Sequence, residues 1–147
     1  MDIDVFPDIT MRGQDDPHAR TLTPRPPTVG QLAARVGRLA GRPADWWRLA
    51  RFEPDRTGRV LVERAGGVEL WLTTWPPGHR TGVHDHASTG VTMVVAGELT
   101  EVAITADGVT ERALRANRVR VHGGAHPHQL VNPGPAYAIS LHARREP

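Results

Sequence analysis

WPPGHRTGVHDHASTGVTMVVAGELTE, residues 75–101, is the stretch on which the fold turns. At its centre His84-Asp85-His86 closes a segment, Gly82–His86, that reads as a β-strand. Side chains alternate faces along a strand, so both imidazoles would share one face and Asp85 would take the other. Two neutral imidazoles on one face suit a divalent first-row metal. Surface or packed histidines produce the same short pattern more often than ligands do, so the surroundings decide its meaning.

Outward from this stretch the chain is punctuated for strands. Arg59–Glu63, a Gly66-Gly67 turn and Val68–Leu72 read as a hairpin. Further strand candidates are Val91–Ala96, Leu99–Ala106, Val109–Leu114, Arg118–Val121, His128–Val131 and Ala136–His142, separated by Pro-Gly, Gly-Glu, Asp-Gly and Asn-Pro-Gly breaks. Many short, evenly spaced strands imply a sandwich or barrel. Upstream the period lengthens. Thr28 is a candidate cap, Val29, Leu32, Val36 and Leu39 recur at helical spacing, and Gly41 offers a left-handed stop, which predicts a helix over about 29–40. Pro43 can open a second short covering helix through Ala44–Leu49, so the helical segment spans about 29–51. Residues 1–27 carry five prolines and no sustained period, and are expected to be an extended or poorly ordered arm preceding one domain over 28–147.

Composition narrows the function classes. A chain of 147 residues suits one domain. All 18 basic residues are Arg, interspersed with 16 acidic ones for a net charge of +2, so the basic patch of a nucleic-acid binder is not expected. No apolar run approaches the ~18 residues of a membrane span, and MDIDVFPD lacks the features of a secretion signal, so a cytoplasmic location is expected. With no cysteine, disulfides and thiolate ligands are excluded, and a metal must use His, Asp or Glu.

Gly78 lies six residues before His84, Gly97 eleven after His86, and His128 four before Asn132. In these spacings, G-x5-H-x-H…G and H-x3-N, the chain resembles the cupin superfamily. The resemblance implies an all-β, cupin-type β-barrel (jelly roll) in which His84, His86 and His128 converge on a metal. Many cupins place a glutamate a few residues after the second histidine; Gly90 stands there, leaving three neutral ligands. Residues 75–101 together with HQLVNPGPAYAISLH, residues 128–142, resemble the cysteine dioxygenase (thiol dioxygenase) family over about residues 55–143. That likeness implies iron(II) on the three histidines, and oxidation of a small thiol carboxylate by O2 to a sulfinic acid. L-cysteine is the first choice of substrate and 3-mercaptopropionate the second. Three neutral ligands would leave the metal its full charge, which favours deprotonation of a bound thiol.

The resemblance also carries substrate residues. The family's carboxylate-binding arginine matches Arg59 if one residue is deleted near Gly66-Gly67; an exposed strand arginine is the alternative, and Arg64 would serve in another register. The family's Ser-x-His-x-Tyr run corresponds to Ser140, His142 and Arg144, so Arg144 replaces the tyrosine and, sharing a face with the other two, could itself grip a carboxylate. No cysteine is available for the crosslink that some members form. His126 competes with His128 as third ligand but lacks the Asn132 spacing, while His122 and His79 read as loop or rim residues. Tyr137, Trp71 and Trp75 read as packing. A metal- or ligand-binding cupin without turnover, and a zinc hydrolase or lyase, remain as other classes. No macromolecular partner is expected beyond a homodimer at most.

Overall fold

A computed structural model describes residues 25–147, and over these the strands form two antiparallel sheets. Helix α1 spans Val29–Ala40. Thr28 begins it with a capping box: its hydroxyl accepts from Gln31 N at 3.2 Å and its own N–H donates to Gln31 Oε1 at 2.8 Å. Its far end differs from expectation. Gly41 stays right-handed (φ −73°, ψ −2°) because the chain tightens directly into the next turn, where Arg42 N donates to Leu39 O at 2.9 Å. The expected helix over 44–49 is instead two single 3-10 turns, Pro43–Asp45 and Trp47–Leu49. Trp46 leaves helical geometry between them (φ −130°) and turns its ring inward, its Nε1 donating to Leu39 O at 3.0 Å. Trp47 is left exposed.

Eight strands follow: β1 Gly58–Ala65, β2 Val68–Trp75, β3 Gly90–Ala96, β4 Glu98–Thr105, β5 Gly108–Arg115, β6 Val119–His122, β7 His128–Val131 and β8 Ala138–Arg145. The larger sheet has the order β1-β2-β8-β3-β6 and the smaller β5-β4-β7. Gly66 and Gly67 make the β1–β2 turn with φ of +58° and +76°, the pair of left-handed residues that a two-residue hairpin needs. Strand β8 begins at Ala138 rather than 136, held off by the Pro133–Pro135 turn in which Asn132 Oδ1 accepts from Gly134 N at 3.0 Å. It runs on to Arg145 because β2 pairs with it along its whole length, Glu69 opposite Arg144.

The period of two divides the larger sheet into two chemical faces. Val68, Leu70, Leu72, Val91, Ile139, Leu141 and Ala143 pack beneath Leu32, Val36 and Leu39 of α1. Each of the Val, Leu and Ile side chains contributes about 1.5–3 kcal/mol on burial. The opposite face carries Trp71, Thr73, Trp75, Thr92, Ser140, His142 and Arg144, and it looks toward the smaller sheet. Trp75, Val94 and Ala138 meet Leu99, Leu114 and Leu130 there in a second apolar cluster.

The segment Gly82–His86 is not a strand. The stretch 80–86 meets β7 through isolated bridges, Arg80 with Val131 and His84 with His128, and through Thr81, whose N–H donates to Leu130 O at 2.9 Å. Four residues on one side span three on the other, so the pairing slips by one and no continuous ladder can form; Val83 bows out to 57% exposure. Of the arm at 1–27 only residues 25–27 are described, where Pro27 O accepts from Arg145 Nε at 2.8 Å; the rest of that expectation lies outside the described residues. Among the described residues no helix is long and apolar enough to cross a membrane.

Candidate metal centre and active site

A cavity of about 720 Å³ opens between the sheets, and His84, His86 and His128 stand on one side of it. Their ring centroids form a near-equilateral triangle, 4.9 Å from His84 to His86, 4.7 Å from His84 to His128 and 5.0 Å from His86 to His128. One ligand nitrogen from each lies within 4.8 Å of the others, so the three could hold one metal ion. The loop, rather than strand alternation, brings His84 and His86 together. The His84 and His128 backbones exchange two hydrogen bonds (3.0 and 2.8 Å), and Ala125 N donates to His86 O at 2.9 Å.

Which nitrogens face inward follows from the outer contacts. His84 Nδ1 lies 2.9 Å from Gly82 O and His128 Nδ1 3.3 Å from Glu101 Oε2, which occupies both Nδ1 positions as donors and leaves Nε2 free. His128 Nε2 lies 2.9 Å from His86 Nε2, so the hydrogen between them is that of His86, and a cation bound by both would take its place. Partial burial, then the neighbouring imidazoles, hold His86 down to about 4, so it is neutral and available as a donor. The donor set fits a divalent first-row metal.

Glu101 is the group that sequence reasoning missed. It is 3% exposed on β4 and accepts from Arg120 Nε (3.1 Å) and Nη2 (2.8 Å), from His122 Nδ1 (2.9 Å) and from His128. Burial alone would raise its carboxyl, but these donors together hold it well below the ordinary range. The inward parity of Leu99 and Glu101 on a strand was the available signal, since a carboxylate there must meet partners. His122 is likewise not a rim residue. Its place opposite Gly90 on β3 turns it inward to 8% exposure. Glu101, His122 and His128 also lie close enough to form a ligand set, but the carboxylate is already filled by four donors. His126 is exposed and His79 half-buried in the loop ahead of the cluster.

Across the cavity stands a different wall. Arg59 lies with its guanidinium carbon 4.4 Å from the centre of the Trp71 ring, and that of Arg144 lies at 5.2 Å. Beyond its indole contact, Arg144 meets the buried Glu69, which also takes Arg64 at 2.6 Å and Trp71 Nε1 at 3.1 Å. The Arg144 hydrogen bond, opposed by burial and reinforced by Trp71 and Arg64, lowers Glu69 to about 2. Arg64 points to Glu69 and Glu146 and does not line the cavity. Arg59 forms no side-chain ion pair among the described residues; its charge is disfavoured by burial and by Arg144. Trp71 is therefore a cavity wall rather than simple packing. His142 lies at the floor; Ser140 is fully buried behind it, 2.7 Å from its Nε2 and 2.8 Å from Trp75 Nε1, and does not line the cavity. Tyr137 precedes β8 and stacks edge-on against Phe52 at 5.3 Å, away from the cavity.

Asn132 locks the loop that leads into the cluster. Its Nδ2 donates to Trp75 O at 2.9 Å and Ala136 O at 2.8 Å, while Gly78 turns at φ +76° with its N–H on Asn132 O.

Two antiparallel sheets around a cavity with a histidine triangle define a cupin. The chain is similar to the crystal structure of a protein from Thermus thermophilus (22% identity, TM-score 0.60, covering 70% of this chain and 96% of that one). It is similar also to a cupin superfamily protein from Desulfitobacterium hafniense (11%, 0.59, 70% and 89%) and to oxalate oxidase in complex with the substrate analogue glycolate (20%, 0.56, 65% and 55%). The family described as Cysteine dioxygenase type I matches residues 31–147, and the chain belongs to that family. Cysteine dioxygenase type 1 of Danio rerio is 33% identical over 61 residues and that of Rattus norvegicus 32% over 59. Each match covers 40% of this chain but only 30% of the relative's length.

Proposed function

We propose that the protein is an iron(II)-dependent thiol dioxygenase that adds both atoms of O2 to the sulfur of a small thiol carboxylate, giving a sulfinic acid, with L-cysteine as first candidate. The observation that carries this reading is the triangle of three imidazoles with no carboxylate among them, in a member of the cysteine dioxygenase family. His84, His86 and His128 would hold the iron, which when bound supplies the positive charge that favours the thiolate and the site at which O2 is used. Arg59, without a carboxylate partner among the described residues and braced on Trp71, receives the substrate carboxylate as a planar fork. His142, held from behind by the buried Ser140, gives a fixed polar floor; burial, with the charge of Arg59 second, holds His142 down to about 3, so it stays neutral. Arg144 adds positive charge where relatives have tyrosine. That replacement favours a second reading, a 3-mercaptopropionate-type substrate, because the wall opposite the histidines presents guanidinium groups and its carboxylate Glu69 is already paired.

The test is oxygen consumption by the iron(II)-loaded protein given L-cysteine, 3-mercaptopropionate and related thiol carboxylates, with the sulfinate identified by mass spectrometry. Uptake is expected with at least one of them and none from His84→Ala. Absence of uptake with every small thiol carboxylate would overturn the proposal.

A further inference from the structure

A continuous line of side-chain hydrogen bonds crosses the cavity floor from Trp75 to His128, and substrate binding as proposed uses only its surface. Trp75 Nε1 lies 2.8 Å from Ser140 Oγ, and Ser140 Oγ lies 2.7 Å from His142 Nε2. His142 Nδ1 is 2.9 Å from Thr92 Oγ1, which is 2.9 Å from His122 Nε2. His122 Nδ1 then reaches Glu101 Oε2 at 2.9 Å, and the same oxygen faces His128 Nδ1 at 3.3 Å. The line passes through β2, β8, β3, β6 and β4 and ends on β7.

Its two ends fix its sense. An indole N–H only donates and an ionised carboxylate only accepts. His122 and His128 must therefore both offer Nδ1–H to Glu101. With Nδ1–H on Glu101, the accepting nitrogen of the His122 imidazole is Nε2, and the hydrogen it meets among the described residues is that of the Thr92 hydroxyl. With that hydrogen committed, Thr92 accepts from His142 Nδ1–H, His142 Nε2 accepts from Ser140, and Ser140 accepts from Trp75. Reversing His142 would strand the Ser140 hydrogen and the His122 lone pair, two buried groups at about 1–3 kcal/mol each. No buried side-chain nitrogen or oxygen among the described residues lacks a partner. Because an indole N–H does not release its proton in the aqueous range, the line holds protons in place and does not conduct them.

We propose that this line is a tautomer lock which keeps His128 bare at Nε2 for metal, and that Thr92 is the positioning residue on which it turns. The lock deepens the reading of His128 as a ligand and rests on it; its first readout does not. In long-range 1H–15N spectra of the metal-free full-length protein at neutral pH, His122, His128 and His142 should all carry their proton on Nδ1. Thr92→Val keeps the shape but removes the hydroxyl. It should give averaged or mixed tautomer signals for His122 and His142 and weaken anaerobic iron(II) binding by about 2- to 10-fold, less than for an outer-shell partner that touches a ligand, because Thr92 reaches His128 only through His122 and Glu101. Thr92→Ser should restore both. An Nε2–H or doubly protonated state at any of the three histidines in the wild type would overturn the lock, even where Thr92→Val fails to fold. So would unchanged iron(II) affinity in a folded Thr92→Val protein. A wild type that shows the three Nδ1–H tautomers but binds no iron(II) upholds the hydrogen-bond sense and sinks the metal-site reading instead.

Discussion

The two walls of the cavity are built on the same device, a buried glutamate paired with arginine, Arg120 for Glu101 and Arg64 with Arg144 for Glu69, and they differ in what else the carboxylate holds. Glu101 spends its remaining capacity on the imidazoles of His122 and His128, so its charge is passed to ring orientation. Glu69 spends its capacity on the Trp71 indole and on Arg144, so its charge sets the edge of a cationic, aromatic surface. Both residues sit at inward positions of strands and both are almost fully buried. A buried carboxylate thus acts as a coordination partner on one side and as a neutraliser of excess guanidinium on the other. The distinction matters because the first wall should govern metal retention and the second the binding of an anionic substrate.

Replacing the charge on the histidine side should have the largest effect. Glu101→Gln leaves Arg120 without its anion and gives the two Nδ1–H groups a weaker, single-oxygen acceptor. Loss of a buried charge partner costs about 3–5 kcal/mol, and metal affinity should fall by about 10- to 100-fold. Urea unfolding and anaerobic iron(II) titration measure the two. Glu69→Gln should leave iron(II) affinity as it is; an equal loss from both variants would show that the walls are not separable.

Acid should separate the walls next. Glu69 is lowered to about 2 in the folded protein from an ordinary carboxyl value of 4.5. A depressed carboxyl contributes stability that is fully present above the unfolded value and lost as pH falls through the folded one, here from about 4.5 to about 2. Unfolding free energies measured across that window should fall less steeply for Glu69→Gln than for the wild type. His142 adds its own slope. Its lowered value of about 3 against 6.5 means that the unfolded state takes up protons first, so stability declines as pH drops from about 6.5 toward 3. Identical slopes in the two proteins between pH 4.5 and 2 would show that Glu69 is not held by its arginines.

On the arginine side the proposed substrate contact is smaller than a buried ion pair. Arg59→Leu should raise KM for thiol carboxylates by about 10- to 150-fold, the equivalent of about 1.5–3 kcal/mol for a hydrogen bond to a charged group. Iron(II) affinity should not change. A variant with unaltered KM would move the carboxylate site to Arg144, whose guanidinium lies over the same indole.

The histidine triangle was legible because motif spacing constrains it directly: six residues from Gly78, four to Asn132, and both structural anchors behave as the spacing requires. Strand alternation is not what forms it. His84 and His86 converge from a slipped loop, which alternation along an isolated segment cannot reveal, because the slip depends on the register of β7. Strand existence was readable from turn residues, but the start of β8 was set by the side chain of Asn132 and its extension by pairing with β2, which are tertiary facts. Glu101, Thr92 and His122 escaped because each is an ordinary strand residue until three other strands are placed around it. From the sequence alone Trp71 reads as packing for the same reason: only the register of β1 and β8 sets two arginines over its ring.

The smallest effect tests how far that ring matters by itself. Trp71→Leu removes the surface on which Arg59 rests and the indole hydrogen bond to Glu69, but leaves Glu69 paired to Arg64 and Arg144. An exposed cation–π contact is worth about 0.5–1 kcal/mol. KM for thiol carboxylates should therefore rise only about two- to fivefold, with kcat and iron(II) affinity close to those of the wild type, and Trp71→Phe should recover most of the difference because it keeps a ring face. A loss as large as that of Arg59→Leu would mean that the indole fixes the guanidinium in its working position. In that case the wall opposite the histidines is organised by Trp71 rather than by Glu69.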